Sequence, residues 1–73
     1  MMDYAKLFNL LKKRKISEQE LIYNKLISRS TLQRLKANQN VKLYTLELLS
    51  AYLECEIWDI FSYIDDSHQN RKR

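Results

Sequence analysis

Tyr4, Leu7, Phe8 and Leu11 recur at i, i+3, i+4 and i+7, which predicts a first helix over about residues 3–13 with those side chains on one stripe. Asp3 stands near its positive end and Lys12-Lys13-Arg14-Lys15 near its negative end, as the helix dipole favours. The same basic cluster serves equally well as a surface that meets phosphates.

Ser17-Glu18-Gln19-Glu20 reads as a capping box, the Ser17 hydroxyl accepting from the amide of residue 20 and Glu20 reaching back, with Ile16 and Leu21 as a hydrophobic staple. A second helix starts there. Ten residues on, Ser28 repeats the cap and Ile27 pairs with Leu32, so the second helix is held to about two turns before a third begins. Leu32 and Leu35 mark the buried side of the third helix. Rotation by about 100° per residue puts Ser30, Gln33, Arg34 and Ala37 opposite them, with Arg29 flanking at the first turn. That outward face carries polar and basic groups and no acid.

Ala37-Asn38-Gln39-Asn40 ends the third helix without glycine, and Asn38 is the residue expected to take a left-handed conformation. Val41 is expected to drop into the core before a fourth helix over about residues 43–54. There Leu43, Leu46, Leu49 and Leu53 form one stripe and Tyr44, Leu48, Ala51 and Tyr52 form another on the opposite side. Such a helix is either sandwiched in the fold or covered by a partner. Ile57, Ile60, Phe61 and Ile64 predict a short fifth helix that covers one side of it, with Trp58 and Tyr63 pointing elsewhere. The stretch 65–73 is polar, ends in Arg71-Lys72-Arg73, and reads as a disordered tail, with contact to nucleic acid as its one functional option.

Composition sharpens this all-α reading. The 73 residues include no Gly and no Pro, which disfavours tight hairpins and rules out a glycine-rich phosphate cradle. A domain this small buries about 60% of its unfolded surface, so pairing with a second copy is an economical way to gain burial. A lone Cys55 and a lone His68 supply neither a disulfide nor a zinc site, and a reducing compartment is expected. Met1-Met2-Asp3 is no secretory signal, and Leu48 to Leu53 is too short to span a membrane; the expectation is a soluble cytoplasmic chain.

Charge is unevenly spread. Residues 1–42 hold ten Lys/Arg against three Asp/Glu, whereas residues 43–73 hold three against six. A basic half joined to an acidic, more apolar half suits a polyanion reader with a separate protein-contact region, although charge runs are most often solvated faces.

The succession of cap, Leu21, turn, Ile27-Ser28-Arg29-Ser30-Thr31-Leu32-Gln33-Arg34-Leu35-Lys36, then Val41-Lys42-Leu43-Tyr44-Thr45-Leu46 and Leu53-Glu54-Cys55-Glu56-Ile57-Trp58-Asp59-Ile60, resembles the Cro/C1 (XRE) helix-turn-helix family from Tyr4 to Ile64. The resemblance implies a compact five-helix, lambda-repressor-like domain over residues 1–64, with the third helix entering the major groove of double-stranded DNA. It implies base readout by Arg29, Ser30, Gln33 and Arg34: the arginines suit guanine O6/N7, the glutamine adenine N6/N7, and the serine permits close approach. Phosphates would be held by Gln19, Ser28 and Thr31, with the amides at the start of the second helix, and by Lys36 and Lys42. Leu26 stands where the family's turn carries Gly, Ile22 where a small residue is usual, and Asn38 where a Gly follows the recognition helix. Glu18 sets a negative charge beside the DNA backbone.

Together these readings predict a transcriptional regulator acting as a homodimer on a partly palindromic site, with Tyr44, Leu48, Tyr52 and Trp58 as the dimer surface, and with no cofactor, metal or small-molecule ligand. The rival reading is a helical protein-interaction module, antitoxin-like or regulator-binding, that uses the apolar face of the fourth and fifth helices. RNA is the weaker third option, since a groove-reading helix does not fit the narrow A-form major groove. Cys55 and Trp58 read most simply as packing residues and His68 as solvated. An enzyme is not expected: no acid pair or Ser/His/Asp set can be assembled.

Overall fold

The computed structural model describes residues 1–64. Its elements run β1 (Met2–Asp3), α1 (Ala5–Lys13), α2 (Glu18–Tyr23), α3 (Arg29–Lys36), α4 (Leu43–Leu53), a single 3-10 turn (Ile57–Asp59) and β2 (Ser62–Tyr63). The expected tail over 65–73 lies outside the described residues.

Three of the four α-helices begin where a donor-rich end finds a side-chain acceptor; α4, with Lys42 at its N-cap, has none. Asp3 Oδ1 accepts from the Ala5 amide at 2.9 Å, so the acid expected at the positive end of α1 acts through a hydrogen bond. Ser17 Oγ accepts from the Glu20 amide and Ser28 Oγ from the Thr31 amide, as the two sequence caps require. The Glu20 carboxylate does not complete the box with Ser17; it turns to the Tyr52 hydroxyl.

All four helices end alike. Lys15, Lys25, Asn38 and Glu54 adopt positive φ between 56° and 62°. In each case the next amide reaches back five residues: Ile16 to Leu11, Leu26 to Leu21, Gln39 to Arg34 and Cys55 to Ser50. This is the Schellman closure that glycine normally serves, built here from residues with a Cβ. At the turn where the family carries Gly, the left-handed residue is Lys25 and not the aligned Leu26, and the Lys25 side chain stays in solvent. Leu26 packs, half-buried, against the core, where its apolar surface is worth more.

The core is one cluster. Tyr4, Leu7 and Leu11 from α1 and the residue before it meet Leu21, Ile27, Leu32 and Leu35 from the helix-turn-helix, and Leu46, Leu49, Leu53 and Ile60 from the closing segment. Val41 packs half-buried against it, as expected. Leu43 does not join the buried stripe; at the first turn of α4 it is 60% exposed, because the helix starts beyond the edge of the core.

The fifth helix is replaced by the 3-10 turn and a strand. Glu56 and Asp59 cap the turn reciprocally, the Glu56 amide donating to Asp59 Oδ2 at 3.0 Å. The chain then straightens and pairs antiparallel with the start of the molecule, Met2 opposite Tyr63 and Asp3 opposite Ser62, and the Ile64 amide donates to the Met1 carbonyl at 2.7 Å. A lone short helix is marginal, and the extended segment at residues 1–3 offers a full set of backbone partners. Ile60 still reaches the core, while Ile64, helical in the periodic reading, is 44% exposed.

Asn38 does double duty. Its Oδ1 accepts from the Tyr4 amide at 3.0 Å, while the Tyr4 hydroxyl donates to the Gln39 carbonyl at 2.7 Å, so the end of α3 is locked to the start of α1. Replacing Lys25 by Gly relieves a left-handed Cβ and is expected to raise stability in urea unfolding by about 1 kcal/mol. Asn38→Gly is expected to give no gain, because the Tyr4 amide loses its acceptor. A gain at Asn38 equal to that at Lys25 would show the side-chain bond to be dispensable.

Candidate nucleic-acid interface

Leu32 and Leu35 anchor α3 in the core, which leaves the opposite side free. Arg29, Ser30, Gln33 and Arg34 are all exposed there, as the helical rotation requires. The α3 N-terminus is organised by three hydroxyls: Ser28 Oγ lies 3.0 Å from both Ser30 Oγ and Thr31 Oγ1. The Ser28 oxygen is thus largely used in capping, and Thr31 is half-buried beside it.

Of the residues expected near phosphates, Gln19 is exposed on α2 and Lys42 is exposed at the N-cap of α4. Lys36 is exposed too, but its Nζ lies 3.0 Å from Glu18 Oε1. Arg34 and Lys42 come from different elements yet line one open hollow with Thr31, Asn40 and Tyr44. Sequence reasoning missed Asn40 in this group; its place directly before Val41, which enters the core, was the available signal.

The proposed partner face divides in two. Tyr44 and Leu48 border a groove shared with Ile22, Leu26 and Ile27, and Tyr44 is 66% exposed. Trp58, 62% exposed, stands instead by α1, where Lys6 Nζ donates to its carbonyl at 2.9 Å. Tyr52 is tied within its own chain: its hydroxyl donates to Glu20 Oε2 and accepts from Asn24 Nδ2 at 3.3 Å. This bond joins α4 to α2, a link that no spacing pattern announces.

The hydrogen bond to Glu20, aided by burial and by the Glu20 charge, pushes the Tyr52 phenol above its ordinary range. Burial does the same to Tyr4. Burial, then the Asp59 charge, raises the Cys55 thiol, so Cys55 is held as a thiol packed on the core and its place fits the packing role expected of it. Among the described residues no group of His, Cys, Asp and Glu is arranged to hold a metal ion, and no helix is long and apolar enough to cross a membrane.

For Tyr52 the folded pKa is the higher one. Its contribution to stability is therefore complete below the unfolded value of about 10 and is lost as pH climbs through the folded value. In an alkaline titration followed by phenolate absorbance, two of the five tyrosines are expected to ionise late. Tyr52→Phe should remove one late step and flatten the alkaline fall in stability; an unchanged late amplitude would mean the bond to Glu20 does not persist in solution.

A family model described as Cro/C1-type HTH DNA-binding domain matches residues 6–66. Among solved structures, the crystal structure of the transcriptional regulator VanUg is similar, with a TM-score of 0.81 and 34% sequence identity, covering 89% of this chain and 87% of that one. None of the curated proteins compared matches.

Proposed function

Starting from the fact that this chain belongs to the Cro/C1-type helix-turn-helix DNA-binding family, we propose that it is a sequence-specific regulator of transcription that reads duplex DNA with α3. The observation that carries this is the outward side of α3: Arg29, Ser30, Gln33 and Arg34 stand exposed on a helix whose other side is pinned by Leu32 and Leu35. Arg29 and Arg34 present forked donors for guanine O6/N7, Gln33 pairs with adenine N6/N7, and Ser30 lets the helix approach. Gln19, Ser28, Thr31, Lys36 and Lys42 hold phosphates and set the register. Resemblance to a transcriptional regulator supports the same reading, as a binding protein and not an enzyme, working in the cytoplasm with the DNA.

The active form in this proposal is a homodimer, two α3 helices reading half-sites about one helical turn apart. The groove beside Tyr44 and Leu48 is the favoured contact, since Ile22, Leu26 and Ile27 add apolar side chains to it beside the polar Ser28 and Thr45, it borders α3 through Thr31, and Tyr44 is exposed there among the described residues. Tyr52 and Trp58 are the outer candidates. The same apolar groove is what would favour a protein-interaction module instead, with the basic side incidental.

Selection of duplexes from a random pool at two salt concentrations tests the central claim. Enrichment of a two-fold related sequence is expected, and Arg34→Ala should weaken binding to it by about 1–3 kcal/mol while relaxing preference at one base position. No enrichment and no salt dependence would remove the DNA reading. Leu48→Asp should convert a dimer to a monomer in sedimentation and leave the helical content unchanged; if it leaves the dimer intact, the interface lies elsewhere.

A further inference from the structure

Two acids open α2, and the fold sends them in different directions. Glu20 is drawn toward α4 by Tyr52. Glu18 is drawn to α3, where its Oε1 meets Lys36 Nζ at 3.0 Å across 18 residues of sequence, the one side-chain ion pair among the described residues. We propose that Glu18 is an internal competitor for the phosphate contact of Lys36, and that it sets the strength and salt dependence of duplex binding. This rests on the DNA reading above.

Three observations support it. First, Lys36 closes the helix that carries Arg29 and stands seven residues from it, so the two basic side chains fall on the same side of α3. Second, the pair is open to solvent, with side-chain exposures of 50% and 36%; such a pair contributes little to stability and is readily exchanged. Glu18 therefore competes without locking Lys36 away. Third, the hollow at this corner is lined by one further cation, Lys12, and one further acid, Asp3. The Asp3 Oδ1 is engaged by the Ala5 amide, which leaves Glu18 as the carboxylate bonded to Lys36.

When Lys36 moves to a phosphate, Glu18 is left to recover a cation from solution. Part of the counterion release that drives DNA binding is then cancelled. The consequence is a weaker and less salt-sensitive complex than the count of basic residues implies, which limits retention on random sequence.

The test uses the full chain and a duplex enriched from a random pool, with affinities measured over a range of salt. Glu18→Gln is expected to tighten binding about three- to ten-fold at low salt and to steepen the slope of log K against log salt by up to about 0.9. Lys36→Gln should weaken binding, and in the Lys36→Gln background Glu18→Gln should lose most of its effect, because the two act through one contact. Glu18→Ala, checked with the others for unchanged helical content, should behave as Glu18→Gln does. Duplex binding by the parent chain with an unchanged Glu18→Gln, or a gain that survives in the Lys36→Gln background, overturns this inference alone. Absence of salt-dependent duplex binding in every variant overturns the DNA reading and this inference with it.

Discussion

A chain with no glycine still has to turn sharply four times, and the rest of the structure depends on how it does so. Each α-helix closes on a left-handed residue that has a Cβ, namely Lys15, Lys25, Asn38 or Glu54. Each such residue costs of order 1–3 kcal/mol, and that cost is tolerable only where the surroundings offset it. The compensation is visible after three of them: Ile16, Leu26 and Cys55 fold back onto the core. At the fourth, Asn38 and Gln39 instead bond Tyr4. The turns are thus stabilised by the contacts of their own and the next residues, so helix ends and core form together.

That coupling is what presents α3. Its N-terminus is defined by the Ser28 cap and its C-terminus is tied to α1 through Asn38. Leu32 and Leu35 hold it from below. A helix fixed at both ends and along one side is a rigid carrier for side chains on the other, as groove reading demands. The left-handed Lys25 lets α2 and α3 meet without glycine, and places a charged side chain in solvent at the turn.

The acids of α2 show how local signals acquire second meanings. Glu18 and Glu20 suit the first turn of a helix by the dipole alone. In the fold they also bond Lys36 and Tyr52, linking α2 to both α3 and α4. In the proposed reading, such a binding surface is tuned by its neighbours, through which cations are free and which carboxylates are occupied, as much as by the residues assigned to the duplex.

Local pattern was enough for most of this. The stripes at Tyr4–Leu11 and Leu32–Leu35, the caps at Ser17 and Ser28, the left-handed Asn38 and the outward row of Arg29, Ser30, Gln33 and Arg34 all depend on contacts within one or two turns, which periodicity records. What the sequence could not decide was settled by pairings between distant segments. The helical spacing of Ile57, Ile60, Phe61 and Ile64 gave way to a strand because residues 1–3 supply backbone partners some sixty positions away. Leu43 lies outside the core because its depth depends on where α4 begins relative to the other helices. Tyr52 and Lys36 have their partners on α2, and no spacing rule within a helix reports which carboxylate another helix will bring within bonding distance.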